Sequence, residues 1–317
     1  MHLLLGARLT LKLPKKIFSF FLVLSFFLEL AHSKDFFYEF IEKSYIHLGQ
    51  IKSYKNNDVN DISNVVFLEG NKCIMLIDTS GSTKTAEIIL KNINAISNKK
   101  ICYIVTTHGH PDHYLGSTVF KHRRIKFIVH ENFNRYLKTR IKRDLINQGF
   151  DGSDSLLYKF DSQIPVTNSK PLKIDLGDRV IFIEALEKSH TNNDLLIFDQ
   201  KNNLVILGDT FFVGHVPIVE ASINGMINVT DKFIKNNYSI CVPGHGPVSF
   251  NCKKDLLKQL EYLKLLKKDT LEKIKNNSNL VKELDNIGWT QSHKWDIFDM
   301  YHRSNISRAW KELEWED

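Results

Sequence analysis

The stretch Thr107-His108-Gly109-His110-Pro111-Asp112-His113 decides how the rest of this chain is interpreted. It directly follows an apolar, β-rich run that begins at Ile101, so it lies at the carboxyl end of a strand, where open α/β sheets place their functional sites. Three imidazoles and one carboxylate within six residues are costly to crowd together without a cation. The stretch therefore predicts metal ligands, and the alternative is a solvated, histidine-rich loop.

Three later segments each place one further ligand type just beyond a predicted strand. They are Ser189-His190-Thr191, Leu207-Gly208-Asp209-Thr210 and Pro243-Gly244-His245-Gly246-Pro247. A single histidine or aspartate of this kind is more often a loop residue, but the three segments together with the first stretch form a specific pattern. The candidate metal ligands are His108, His110, Asp112, His113, His190, Asp209 and His245.

Hydrophobic periodicity predicts two successive α/β halves. The β-rich runs are residues 65–68, 73–78 and 101–107, followed by 179–185, 194–198, 204–207 and 238–242. Helices are predicted over 83–96 and over about 131–148, with a Gly/Ser/Asp-rich break at 149–155. The core-facing stripe of the first helix consists of Ile88, Ile89, Ile93 and Ile96. Strand, helix and strand in succession imply a parallel crossover, so the predicted fold class is an α/β, helix–sheet–sheet–helix (αββα) sandwich.

The C-terminal region is predicted to be helical and docked. Residues 253–276 have the apolar spacing of a long amphipathic helix, and the last thirty residues carry all four tryptophans. We therefore divide the chain into a targeting segment (1–33), a main domain that carries the candidate ligands (34–252) and a helical, tryptophan-rich extension (253–317).

The first 33 residues have the features of a signal peptide. A basic region with Arg8 and Lys16 precedes the apolar run 17–28, and Ala31 and Ser33 are small residues at the positions that predict cleavage before Lys34. An uncleaved membrane anchor is the alternative, although the run is shorter than the roughly 20 residues that cross a bilayer. We expect a periplasmic or secreted protein with no stable membrane span after cleavage.

Charge bears on the expected partners, and the cysteines bear on possible disulfides. Cleavage would remove four positive charges and one negative charge, lowering the formal net charge from +7 to +4. The lysines are spread along the chain, so we expect no nucleic-acid partner. Cys73 and Cys102 each open a predicted strand, and a bridge between them or buried free thiols remain open alternatives; Cys241 and Cys252 receive no assignment.

The ligand pattern resembles the metallo-β-lactamase superfamily over roughly residues 45–250. The resemblance implies the αββα fold and two bound metals. By position, His108, His110 and His190 would bind the first metal, and Asp112, His113 and His245 the second. Asp209 would bridge the two, as in the glyoxalase II-like branch, and Asp78 would orient a ligand histidine.

The resemblance also implies two Zn²⁺ ions and hydrolytic chemistry. Iron and manganese are the alternatives, and the iron-containing relatives typically have glutamate where this chain has His110. Two divalent cations would generate hydroxide from a shared water, with Asp112 as the proton shuttle.

Two further stretches, 208–219 and 295–316, resemble the quinoprotein relay system zinc metallohydrolases and their sulfur-oxidation relatives. This likeness implies an association with a periplasmic quinoprotein dehydrogenase. His215 would then overhang the groove and contact substrate, or else be structural.

The leading hypothesis is an exported zinc hydrolase that acts on a small ester, thioester, lactone or amide. The alternatives are a true β-lactamase, a maturation or relay partner with little turnover of small molecules, and a sulfur dioxygenase, which would require iron and oxygen.

Overall fold

The computed structural model describes residues 36–52, 61–120, 124–139, 162–236 and 238–316. Two sheets pack face to face, and helices cover both outer faces. This is the predicted αββα sandwich. The predicted signal peptide and the break at 149–155 lie outside the described residues. The helix predicted over 131–148 is helical at 133–139, and its later part also lies outside them.

Seven strands form the first sheet within the described residues, and their spatial order follows the chain. They are β1 (Tyr38–Ile41), β2 (Ser44–His47), β3 (Val65–Glu69), β4 (Ile74–Ile77), β5 (Ile101–Val105), β6 (Lys126–His130) and β7 (Gln163–Val166). The pairs from β1 to β4 are antiparallel, and those from β4 to β7 are parallel.

Helix α1 (Thr83–Ile96) makes the predicted parallel crossover from β4 to β5. The Ser82 hydroxyl caps it by accepting a hydrogen bond from the Thr85 amide at 3.1 Å. Ile89 and Ile93 are buried as expected, but the prediction for Ile88 is wrong, because this side chain is 39% exposed. The buried positions 86, 89, 90 and 93 repeat every three or four residues, which places residue 88 on the solvent face.

Beyond β5 the chain forms the short helix α2 (Pro111–Tyr114), which is followed by a 3-10 helix at Leu115–Phe120. The second sheet has five strands within the described residues. They are β8 (Leu172–Asp175), β9 (Val180–Ala185), β10 (Leu195–Asp199), β11 (Leu204–Phe212) and β12 (Ile240–His245), in the spatial order β12-β11-β10-β9-β8. Helix α3 (Ile223–Asn236) connects β11 to β12, which pair in parallel.

The core lies between the two sheets. Met75 and Val105 from the first sheet and Ile183 and Ile197 from the second belong to one buried apolar cluster. Two further clusters pack α1 against the outer face of the first sheet, and α3 and the start of α4 (Cys252–Lys275) against that of the second. Because the central strands are covered on both faces, β3, β4 and β10 are apolar nearly throughout.

The C-terminal extension docks as predicted. After α4 come α5 (Leu280–Glu283), a 3-10 helix at Trp289–Lys294 and α6 (Phe298–Leu313). Leu263 of α4 and Trp310 of α6 are buried in one cluster with Val219 and Ile223, which precede residue 253. Trp315 is an exception among the tryptophans, since it is 82% exposed.

Two disulfides resolve the question that the sequence left open. Cys73 bonds to Cys102 across the adjacent strands β4 and β5, and Cys241 bonds to Cys252. The second pair was not predicted. In the part of the chain that the structure describes, no helix is long and apolar enough to cross a membrane.

Candidate metal centre

The seven predicted ligands come together at one edge of the sandwich. Their ligand atoms form two groups, His108, His110, His190 and Asp209 in one, and Asp112, His113 and His245 in the other. Within each group these atoms all lie within 4.8 Å of one another. The grouping matches the two metal positions that the resemblance implies, while metal coordination by these residues stays a prediction.

The backbone positions these side chains by local features of four segments. His108 lies just beyond β5, and Pro111 at the first position of α2 starts the turn that carries Asp112 and His113. His190 follows β9, as expected.

The prediction that Asp209 and His245 lie beyond their strands is wrong, because both are within strands. The β11–β12 ladder shifts register around Gly208 (φ +50°) and then continues, pairing Phe212 with His245. A polar Gly-Asp-Thr segment resembles a strand end in sequence, but here it is a bulge that aims Asp209 into the cluster.

Gly244 makes room for Asp209 between the two strands. A Cβ atom at position 244 would lie 1.9 Å from Asp209 Oδ1. The sequence Pro-Gly-His-Gly-Pro at the end of β12 thus supplies the candidate ligand His245 and, through Gly244, the space that Asp209 occupies.

Each cluster histidine uses one ring nitrogen for a contact outside the cluster. Nδ1 of His113 lies 2.7 Å from Asp78 Oδ2, Nδ1 of His245 lies 2.8 Å from the Ile62 carbonyl oxygen, and Nδ1 of His190 lies 2.9 Å from the Ile218 carbonyl oxygen. Carbonyl and carboxylate oxygens only accept, so these three nitrogens carry the hydrogen.

The other two histidines are arranged in the same way. The Thr107 hydroxyl donates to Asp78 Oδ2, which leaves its oxygen to accept from His108 Nδ1 at 3.1 Å. His110 donates from Nε2 to Glu220 Oε2 at 2.9 Å. The five remaining nitrogens therefore face the centre.

These inward-facing nitrogens fit bound cations. Nε2 of His108 and Nε2 of His113 are buried and have no hydrogen-bond partner among the described residues. Nδ1 of His110 and Nε2 of His190 lie 3.1 Å apart. In each ring the other nitrogen carries a hydrogen, so in the neutral rings these two nitrogens face each other with lone pairs. Opposed lone pairs need a proton or a metal ion between them. Imidazole and carboxylate ligands in this number suit zinc, iron or manganese.

The electrostatics also favour positive charge at the centre. Burial opposes charge on Asp209, but the surrounding histidines outweigh it and hold its pKa well below the usual value. Burial would lower the pKa of His245, yet the carboxylates of Asp209 and Asp112 raise it to about 9. Burial and neighbouring histidines lower the pKa values of His108 and His190. The buried carboxylates thus attract positive charge on neighbouring histidines. The same attraction would stabilise a bound metal ion.

Glu220 and Thr107 also contact candidate ligands, and neither was predicted from the sequence. Glu220 accepts hydrogen bonds from His110 and, at 3.0 Å on Oε1, from the Tyr136 hydroxyl. The one available indication was that Glu220 interrupts the apolar run Val216–Val219. Thr107, whose hydroxyl links His108 to Asp78, has no distinguishing spacing.

The remaining predicted residues lie beside the cluster. Asp78 accepts from the Thr107 amide at 2.7 Å as well as from His113, so it contacts a candidate ligand directly. His215 is buried with its ring 5.2 Å from that of His245 and 5.4 Å from that of Tyr301, and its Nδ1 donates to the Val216 carbonyl. Burial lowers the pKa of His215 to about 3. Substrate contact by His215 stays a prediction.

Comparison with solved structures gives the fold. A metallo-β-lactamase from Pontibacter korlensis matches with a TM-score of 0.58 and 15% identity over 72% of this chain and 98% of its own. FIM-1 from Pseudomonas aeruginosa, a metallo-β-lactamase in its mono-zinc form, matches with a TM-score of 0.55 and 15% identity over 71% and 94%. The sec-alkylsulfatase Pisa1 from Pseudomonas sp. matches with a TM-score of 0.65 and 15% identity over 87% of this chain but 50% of its own.

No curated protein matches the sequence. The family model "Metallo-beta-lactamase superfamily" matches residues 59–245, which include all seven candidate ligands. The chain therefore belongs to the metallo-β-lactamase superfamily.

Proposed function

We propose that this protein is an exported, zinc-dependent hydrolase that uses two metal ions to attack a small ester, thioester, lactone or amide with water. The observation that carries this proposal is the arrangement of five imidazoles, each of which holds one N–H outside the cluster and turns its other nitrogen inward. The superfamily match supports the hydrolase class.

When bound, two divalent cations would lower the pKa of a shared water and polarise the electrophile. Asp209 is placed to serve both metal positions, since its Oδ2 lies 3.5 Å from His190 Nε2 and its Oδ1 lies 3.3 Å from His113 Nε2. In our proposal Asp209 would therefore be the ligand that the two metal positions share.

Asp112 is the proton acceptor in this mechanism. Its Oδ2 lies 3.4 Å from Nε2 of both His113 and His245. Its backbone carbonyl accepts from the Ser63 hydroxyl at 2.6 Å, which fixes the position of α2. Burial raises the pKa of Asp112, but His113 and His245 outweigh that effect and lower it, so the side chain is an ionised carboxylate at neutral pH.

Export is supported by the cysteine chemistry. All four cysteines are paired in two disulfides, and such bonds persist in oxidising compartments. Together with the leader-like residues 1–33, this favours a periplasmic or secreted location.

The test is metal analysis of the protein followed by assays with ester, thioester, lactone, amide and β-lactam substrates. We expect two zinc equivalents per chain, loss of turnover in chelator, and at least a 100-fold loss of turnover in Asp112→Ala and Asp209→Ala. Asp231→Ala, at a surface ion pair with Lys264, is the control and should keep wild-type activity. A reconstituted protein with no metal, or with one equivalent, would contradict the dinuclear mechanism.

Sulfate-ester hydrolysis is a second candidate. The likeness to the sec-alkylsulfatase covers 87% of this chain, against 72% for the metallo-β-lactamase from Pontibacter korlensis. A secondary alkyl sulfate therefore belongs in the substrate series. Turnover of the alkyl sulfate, with none of the carboxylic ester, thioester or lactam, would select this candidate.

We also propose a link to a periplasmic quinoprotein dehydrogenase, supported by the resemblance in 208–219 and 295–316. Co-purification of such a dehydrogenase with the tagged, exported protein is the expected result. Co-purification without turnover of any substrate in the series would favour the relay-partner alternative over the hydrolase.

A further inference from the structure

The segment Pro217–Glu220 contacts two candidate ligands of the first metal position. The Ile218 carbonyl accepts from His190 Nδ1 at 2.9 Å, and the Glu220 carboxylate accepts from His110 Nε2 at 2.9 Å. The conformation of this segment therefore determines how both rings are turned.

Asn305 of α6 contacts the same segment from its opposite side. Its Oδ1 accepts from the Val219 amide at 2.9 Å, and its Nδ2 donates to the Pro217 carbonyl at 2.7 Å. The side chain is fully buried. The amide orientation follows from its partners, because a backbone N–H only donates and a carbonyl only accepts.

One peptide unit joins Asn305 to His190. The Ile218 carbonyl and the Val219 N–H belong to the same peptide group, and in a planar trans peptide they point in opposite directions. Asn305 binds the N–H end of that group, and His190 binds its carbonyl end. Rotation of this peptide would break both hydrogen bonds at once.

A buried network holds Asn305 in place. Its Nδ2 also donates to the Tyr262 hydroxyl at 2.8 Å, which donates to His302 Nδ1 at 3.0 Å, and His302 Nε2 donates to the Ile287 carbonyl at 2.8 Å. Each donor in this hydrogen-bond network has one matching acceptor. The Asn305 side-chain amide therefore cannot exchange its oxygen and nitrogen positions without losing several hydrogen bonds.

We infer that Asn305 is a positioning residue, through which the C-terminal extension fixes the tautomer and ring orientation of His190. Its consequence for metal binding rests on the proposed function, while its effect on the His190 ring does not. Asn305 lies outside the matched family region, which ends at residue 245. An amide that only docked α6 would contribute to stability and leave the His190 ring unchanged.

The test uses the full chain labelled with ¹⁵N-histidine, first without metal and then titrated with Zn²⁺ against a chromophoric chelator. The wild-type protein should show His190 hydrogenated at Nδ1, with the resonance assigned by its loss in His190→Gln. Asn305→Ala should give a mixture of His190 tautomers and a 10- to 100-fold loss of zinc affinity at one position, the range found when a group that orients a ligand is removed.

Two further variants make the result interpretable. Asn305→Asp keeps an acceptor for the Val219 amide, so it should keep more of the Nδ1-hydrogenated form than Asn305→Ala, and it serves if the alanine variant does not fold. Ile93→Ala creates a cavity in α1, in a different apolar cluster, and should lower the unfolding temperature without changing the tautomer.

An Asn305→Ala protein that unfolds at a lower temperature, yet keeps the wild-type tautomer and zinc affinity, would overturn the inference and leave only docking. Failure of the wild-type protein to bind zinc would contradict the proposed function instead, because the tautomer is measured in the metal-free chain.

Discussion

At the residue scale, the chemistry of the cluster depends on which nitrogen of each imidazole carries its hydrogen. Acceptors outside the cluster decide this: carboxylates for His110 and His113, a hydroxyl for His108, and backbone carbonyls for His190 and His245. A histidine without such a partner would populate both tautomers and reduce metal affinity.

Replacement of Asp78 by asparagine tests this dependence. Asp78 Oδ1 accepts from the Thr107 amide, and Oδ2 accepts from both His113 Nδ1–H and the Thr107 hydroxyl. The NH₂ group of asparagine replaces one of these two oxygens, so at least one hydrogen bond is lost. Asparagine tolerates the positive φ of +59° at this position, and the backbone is therefore preserved. We expect a 10- to 100-fold loss of zinc affinity, measured by chelator competition.

The matched control is Asp61→Asn, which changes another aspartate–histidine pair, that with His47, outside the cluster. Zinc affinity should stay at the wild-type value in this control. Equal losses in both variants would mean that general destabilisation, not orientation of His113, explains the effect.

We expect His302 to cause part of the pH dependence of the free energy of unfolding. Burial lowers its pKa to about 4 in the folded protein, against 6.5 when exposed. Between pH 6.5 and 4 the unfolded chain binds a proton that the folded chain does not, so the free energy of unfolding falls with falling pH, by about 3 kcal/mol in total.

Glutamine at position 302 offers an acceptor to Tyr262 and a donor to Ile287 without titrating. His302→Gln should therefore lose less stability than wild type between pH 6.5 and 4 in urea-unfolding measurements. Parallel curves for the two proteins would show that His302 does not carry this dependence.

At the element scale, the approach of β11 to β12 builds the shared part of the site. Gly244→Ala would place a Cβ 1.9 Å from Asp209 Oδ1 and force this carboxylate out of the cluster. Because Asp209 faces both ligand groups, we expect metal content to fall from two equivalents to one or none, measured by elemental analysis.

Gly70→Ala is the control for this substitution. Its Cβ would clash as severely with Leu176, at 2.4 Å, but far from the cluster in sequence and contacts. It should lower the unfolding temperature and keep two metals. Full metal content in Gly244→Ala would refute the role assigned to the close approach of these strands.

The strands themselves were predictable, whereas their ends were not. Local runs of apolar residues identify β4, β5 and β10, because burial on both faces leaves a continuous signal. The extension of β11 through Asp209 depends on pairing with β12, whose residues lie some 35 positions later in the chain.

At the scale of the whole molecule, each of the two disulfides cross-links one half of the sandwich. Cys73–Cys102 spans 29 residues and Cys241–Cys252 spans 11. Closing the longer loop removes more entropy from the unfolded chain, about 3.6 kcal/mol against about 2.8 kcal/mol.

Double alanine variants of each pair should therefore lose stability in that order in guanidinium unfolding. Reducing agent should destabilise the wild-type protein and leave a variant without any of the four cysteines unchanged. The reverse order of the two double variants would contradict the loop-entropy argument.

The sequence by itself determined the fold class and the candidate ligands. Each ligand belongs to a short segment that follows or ends a predicted strand, so local patterns and their spacing were enough to find all seven. Asp209 and His245 were identified even though their strands continue past the predicted ends.

Apart from Asp78, only the tertiary structure decided which groups orient those ligands. Glu220 lies 110 residues from His110, and Asn305 lies 86 residues from Val219. The Cys241–Cys252 bond likewise depends on how α4 starts beside β12. These contacts form when segments far apart in the sequence pack together. Local hydrophobic periodicity therefore does not predict them.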